Sequence, residues 1–241
     1  MRIGFISDAH GNSAGLSKCL KYLKGQGVDK IYFLGDAIGY MPDWAGVFAL
    51  LDEYGVECLQ GNHDHMSFEG LIDPQKNLVY KLTPDLIEEN AACLSRVATL
   101  PSSIAIDVDK RKLLLVHGSP RRPLDGYVYP DSSVVDFESI DADAIFMGQT
   151  HRPFIKQAYG KYIVNVGSCG LPRDVGNLAS CAIYDAEKND CVIYRVPFDI
   201  EDILNPYRER IHASVIKCLT RRSDNYFGTL ISLGKIGSNK K

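Results

Sequence analysis

No apolar run in these 241 residues approaches the ~20 needed to cross a bilayer, and no tract is repetitive or of low complexity. The opening stretch MRIGFISDAHGN turns polar after six residues, too soon for a signal peptide. Together these predict a cytoplasmic protein with no membrane partner. CxxC pairs are absent, and the seven cysteines (Cys19, Cys58, Cys93, Cys169, Cys181, Cys191, Cys218) are odd in number. They read as reduced thiols, several buried as small hydrophobes. Neither sign of charge dominates. With 27 Lys and Arg against 30 Asp and Glu the net charge is −3, so there is no strong nucleic-acid signal and no general attraction to anionic membranes. Apolar residues at 45% and charged residues at 24% form an ordinary globular balance, which excludes disorder. The length suits one large domain or two small ones, with a sizeable core.

Short β-rich runs alternate with helical stretches through the first half. Arg2–Ile6, Lys30–Leu34 and Val56–Leu59 are strand-length runs. Between them, Ser13–Lys24 places Leu16, Leu20 and Leu23 at helical spacing, and Trp44–Tyr54 suits a second helix. Such repeats predict a parallel sheet with right-handed crossovers. His65–Leu100 has no strong β run and carries a helical patch at Asp85–Val97, so a helical insertion is expected over about residues 65–100. The β signal returns at Ile104–Val108, Lys112–Val116, Ala144–Met147, Phe154–Ala158, Tyr162–Val166, Ala179–Tyr184 and Asp190–Val196. Hairpins are expected around Tyr159–Lys161 and Glu187–Asn189. These strands exceed one comfortable sheet. The expected fold is α/β, a four-layer α-β-β-α sandwich of two mixed β-sheets flanked by helices. Residues 1–198 would form this domain, and 199–241 a C-terminal helical extension, interrupted at Pro206, with a frayed basic tail ending in GSNKK.

Polar clusters fall where these strands end: Asp8-Ala9-His10, Gly35-Asp36, Gly61-Asn62-His63-Asp64, His117-Gly118-Ser119 and Gly148-Gln149-Thr150-His151. Ligands favour the carboxyl ends of strands in α/β sheets, so the clusters should converge. A lone histidine after a strand is ordinarily a loop or core residue. Here four of the six histidines occupy such ends beside Asp8, Asp36 and Asn62, the mixed donor set that borderline divalent metals need.

In this order the blocks DxH, GD, GNHD, H and GxxH resemble the calcineurin-like metallophosphoesterase superfamily, with the likeness running from Asp8 to about Pro197. GDAIGYMPD, HGSPRRPL and VNVGSCGLPRD are similar to its small prokaryotic phosphodiesterase branch. The resemblance implies two divalent metal ions, Mn2+ favoured, with Fe, Ni or Zn accepted by the same ligands. Asp8, His10 and His151 would hold the first, Asn62 and His117 the second, and Asp36 would bridge them. It implies a hydroxide at this dinuclear centre attacking phosphorus in line. His63 would stabilise developing charge or protonate the leaving oxygen, with Asp64 orienting its imidazole. Gln149 departs from the family pattern, which has a second-metal histidine there. A glutamine carbonyl is a neutral, harder donor. It predicts a weak second site, a shift towards Mn2+ or Mg2+, or a tolerated swap with water completing the shell.

Arg121, Arg122 and Arg173 are candidate phosphate binders, because guanidinium forks suit bidentate contact, although exposure is the default for arginine. Tyr127 and Tyr129 either stack on a nucleobase or are ordinary part-buried tyrosines, and His65, two residues beyond His63, either reaches substrate or, as favoured here, faces solvent. Cys169, in GSCG, is the one cysteine beside the clusters and a weak nucleophile candidate. The expected function is metal-dependent hydrolysis of phosphate esters, by a phosphodiesterase or a nucleotide (dinucleoside polyphosphate) phosphatase acting on a small phosphate-ester or nucleotide substrate. One alternative is a non-catalytic metal-binding scaffold, against which the intact GNHD argues. Another is a protein serine/threonine phosphatase, for which the chain lacks long groove-building insertions. No pattern selects an oligomeric state.

Overall fold

The computed structural model describes residues 1–70, 79–81 and 83–231. In them two mixed β-sheets pack face to face. The first has six strands in the order β11-β10-β9-β1-β2-β3: β1 Arg2–Ile6, β2 Lys30–Phe33, β3 Glu57–Cys58, β9 Leu178–Asp185, β10 Asp190–Pro197 and β11 Thr229–Leu230. The second has five, β4-β5-β6-β8-β7: β4 Ser103–Val108, β5 Arg111–Val116, β6 Ala144–Met147, β7 Phe154–Ala158 and β8 Lys161–Asn165. β1, β2 and β3 run parallel, as do β5, β6 and β8; both expected hairpins form, as β7–β8 and β9–β10.

The two sheets meet through side chains that alternate along each strand. Ile3 and Phe5 of β1 face Leu115 and Phe146 across the interface, and the Phe5 and Phe146 rings stack at 3.8 Å. The other face of the first sheet is covered by α1 (Ser13–Gly25) and α2 (Trp44–Glu53). Leu16, Cys19, Leu20 and Leu23 recur at helical spacing on the buried side of α1. Asn12 and Asp43 cap the two helices, accepting the N–H groups of Gly15 and Gly46. The layer over the second sheet is slight: a 3-10 turn, Val135–Phe137, buries Phe137 against Val116 and Ile145.

Among the described residues the insertion includes the short helices α3 (Asn62–Phe68), α4 (Pro84–Glu89) and α5 (Ala91–Val97). The single patch expected at Asp85–Val97 breaks at Asn90, whose amide turns back to donate to the Leu86 carbonyl. Residues 71–78 and 82 of the insertion, and the GSNKK tail, lie outside the described residues. After β10 come α6 (Glu201–Tyr207), which contains Pro206, a 3-10 turn at Arg208–Arg210, and α7 (Ala213–Leu219). Ile203, Leu204, Ile211, Val215 and Leu219 join the same core as α1. The chain then adds β11 parallel to β10, a two-residue strand too short to leave a periodic signal. All seven cysteines are free thiols, six of them buried.

Candidate metal centre

The carboxyl ends of β1, β2, β5 and β6 and the start of α3 point into one place. Asp8 and His10 follow β1, Asp36 follows β2, His117 follows β5, and Gln149 and His151 follow β6. All six are buried. Main-chain bonds lock the loops together: Asp8 N–H donates to the Gly35 carbonyl, His10 N–H to Asp36, and Gly148 N–H to His117. Five of these residues have positive φ: Asp8 57°, His10 50°, Asp36 60°, Gln149 69° and His151 57°. They make up half of the ten positive-φ non-glycine residues among the described residues. A non-glycine residue in the left-handed region costs ~1 kcal/mol or more, so the backbone is bent here to aim side chains. Gly39 makes room for the rings: a Cβ there would lie 2.6 Å from His10 Nδ1.

Each of three imidazoles donates its Nδ1–H to a carbonyl: His10 to Ile38 (3.2 Å), His117 to Leu34 (2.9 Å) and His151 to Leu171 (2.6 Å). For His10 and His151 that assignment leaves Nε2 with its lone pair directed inward. His10 Nε2 and His151 Nε2 then stand 3.0 Å apart, with Asp8 Oδ1 3.2 Å from the latter. Two lone pairs at that distance repel unless a cation lies between or beside them. His117 Nε2 is 3.3 Å from Asp36 Oδ2, 3.1 Å from Asn62 Oδ1 and 2.7 Å from Gln149 Oε1. Asp8 Oδ1, Asp36 Oδ2 and Gln149 Nε2 are buried without a hydrogen-bond partner, which a folded protein tolerates only where something else satisfies them. Asp8, His10 and His151 could hold one ion, and Asp8, Asp36 and His117 another; His63 could join His10 and Asp36.

The electrostatics agree with a centre built for cations. Burial pushes His10 well down and His63 down to about 4, aided in each by neighbouring histidines and resisted by Asp36. Burial alone would lower His117 and raise Asp36. Instead, the charges of Asp36 and Asp8 push His117 up to about 10, and His117, His63 and His10 together hold Asp36 well below the usual carboxylate range.

His63 lies in the first turn of α3, its ring meeting those of His10, Tyr40 and Tyr80 at 4.6, 4.9 and 4.9 Å. It faces a cavity of about 610 Å³ that Asn62, Gln149, His151 and Arg173 also line. The expected role of Asp64 needs correction. Its oxygens do not reach the His63 ring; they accept the backbone N–H groups of Asp36 (2.8 Å), Gly61 (2.9 Å) and Ile38 (3.1 Å). Asp64 therefore ties the β2 loop to the first turn of α3, even though burial and the Asp36 charge push it up to about 7. Arg122 borders the cavity but is paired with Asp125, while Arg121 lies outside it, paired with Asp136. His65 lines the cavity. Tyr127 lines it too, 56% exposed and stacked on Tyr129. Cys169 is buried among apolar residues, its thiol pushed well up by burial, and is no nucleophile. Sequence patterns pass over Tyr40, Tyr80 and Met66, which form the apolar wall of the cavity. Tyr40 alone had a signal, its place four residues after Asp36 in the β2 loop.

The family profile for the calcineurin-like phosphoesterase superfamily domain matches residues 1–189. The chain belongs to this superfamily. An uncharacterized protein of Methanocaldococcus jannaschii is 31% identical over 220 residues, 83% of this chain and 88% of that one. A metallophosphoesterase structure from Sphaerobacter thermophilus is 29% identical, with a TM-score of 0.76, covering 91% of this chain and 98% of that one. A hypothetical protein of Pyrococcus horikoshii OT3 shares the fold at 22% identity, with a TM-score of 0.77 and the same coverage. The clustered donors are consistent with a dinuclear-metal hydrolase of the calcineurin-like fold. Among the described residues no helix is long and apolar enough to cross a membrane.

Proposed function

We propose that this chain is a cytoplasmic phosphodiesterase that hydrolyses small phosphate diesters, nucleotides among them, with two divalent ions, Mn2+ favoured. The observation that carries the reading is the inward pair of imidazole nitrogens, 3.0 Å apart, beside buried carboxylate oxygens without partners. Asp8, His10 and His151 would hold one ion, and Asn62, His117 and Gln149 the other, with Asp36 between them. Divalent ions held by these residues would supply a water of lowered pKa and draw charge from the phosphoryl group. His63 stands on the cavity side of the donors, where its imidazole can hydrogen-bond a leaving oxygen. Arg173, on the same cavity, suits a non-bridging phosphoryl oxygen. Tyr40, Tyr80 and Met66 offer a flat apolar surface to an aryl or nucleoside group.

The test is hydrolysis of an aryl phosphodiester and its monoester by chelator-stripped protein titrated with Mn2+. Metal-dependent turnover favouring the diester supports the reading, and His63→Asn should lower kcat by about 10²-fold or more while leaving bound metal unchanged. Turnover of the monoester alone would make the chain a phosphatase. Inactivity with Mn2+, Ni2+, Fe2+ and Zn2+ alike would favour a scaffold.

A further inference from the structure

The matched family domain ends at residue 189, yet the chain beyond it grips the loop that presents Arg173. That loop, residues 170–176, is part of the connection between β8 and β9. On its inner side Gly170 N–H donates to the Asp8 carbonyl and Arg173 N–H to His151, at 3.1 and 3.4 Å. Its outer side is held entirely by later residues. Arg221 donates from Nη1 to the Arg173 carbonyl at 2.6 Å, and its own carbonyl accepts Gly176 N–H at 3.0 Å. The Cys218 thiol reaches the Pro172 carbonyl at 3.4 Å. A Cβ on Gly176 would collide with the Cys218 and Leu219 carbonyls, so the loop and the end of α7 touch backbone to backbone.

Arg195, on β10, completes the grip. Its guanidinium is fully buried and holds both oxygens of Asp174 at 2.5 and 2.8 Å. The same group donates to the Leu178 and Phe227 carbonyls at 2.8 and 3.3 Å, and Tyr226 lies against it. Burying an arginine is costly unless its hydrogen bonds are met. Here Nη1 and Nη2 are spent on Asp174, the residue next to Arg173, on Leu178 and on the segment leading into β11, while Nε has no hydrogen-bond partner.

We infer that the C-terminal segment is a positioning device for Arg173, with Arg221 as the positioning residue that fixes its backbone from outside the cavity. The inference rests on the reading that Arg173 binds the phosphoryl group. Displacement of a substrate-holding group by ~1 Å weakens reaction by up to 10²-fold, so the bond from Arg221 is placed to act on substrate affinity.

Arg221 is exposed, so Arg221→Ala spares the core. With Mn2+-loaded full-length protein and an aryl phosphodiester, Arg173→Ala should raise KM by about 10-fold or more. Arg221→Ala should raise KM several-fold, with kcat, bound metal and Tm unchanged, and the double variant should match Arg173→Ala alone. The Arg221→Ala effect should persist at 0.5 M salt, where a lost remote charge is largely screened, and Arg221→Lys should restore KM. If Arg173→Ala raises KM but Arg221→Ala only lowers Tm, or if its effect vanishes with salt, the inference is overturned and the reading of Arg173 stands. If Arg173→Ala leaves KM unchanged, both fall.

Discussion

The amide oxygen of Gln149 lies 2.7 Å from His117 Nε2, closer than either Asn62 or Asp36 approaches that nitrogen. One side of the centre thus has a single imidazole among oxygen atoms. The other has two imidazoles and Asp8. Borderline ions prefer the second set, and harder ions tolerate the first. After exhaustive dialysis the wild-type protein should retain about one ion per chain, and Gln149→His should move retention towards two. Elemental analysis of the dialysed proteins decides it; wild-type protein holding two ions would sink the idea of an unequal pair.

Asp64 is a brace, and its variants should behave as braces do. Asparagine offers one acceptor oxygen where three backbone N–H groups converge, leaving at least one facing an amide NH2. Asp64→Asn should therefore cost ~1–3 kcal/mol of stability. The Tm should fall by several degrees while kcat per folded, metal-loaded molecule stays close to wild type. A large fall in kcat at unchanged Tm would return Asp64 to the imidazole-orienting role.

The chelator-stripped protein should show the depressed basicity of His63 in its acid limb. A histidine held at about 4 when folded and near 6.5 when unfolded binds its proton more readily in the unfolded chain. Its contribution is present above pH 6.5 and is lost as pH falls from 6.5 through 4, amounting to ~3 kcal/mol at most. His117 works the other way, since its raised value of about 10 gives stability below pH 6.5 that is lost as pH rises through 10. Comparing wild type with His63→Asn cancels the common groups. The gap in denaturation midpoint should change between pH 7 and pH 4, wild type losing more on acidification; parallel curves would contradict the burial argument.

What could be read in the chain is what is local. Each donor cluster sits within a few residues of a strand whose apolar pattern is visible, and strand ends in α/β sheets converge, so Asp8, Asp36 and His151 come together as expected. The strands themselves were legible because RIGFI and KLLLV leave few other ways to bury their side chains. What was hidden depends on distance or on backbone shape. Nothing in the letters says that Asp8 or Gln149 has positive φ. Asp64 follows His63 directly, which suggested partnership, yet its oxygens turn to the backbone of a loop 28 residues away. Arg195 looks like one residue of an ordinary strand, and its pairing with Asp174 spans 21 residues. Tyr80 lies in the insertion with no motif around it, and only packing brings it to His63.

The order of strands in the first sheet has a consequence for how the protein is made. β1 is an interior strand, but one of its two neighbours is β9, with Arg2 opposite Asp185. As the chain leaves the ribosome, one edge of its first strand stays open until that late partner emerges. By then β6 and the residues following it have been synthesised, so every donor of the centre can be recruited in a single closing event. Such long-range pairing slows folding and leaves a bare strand edge open to wrong partners.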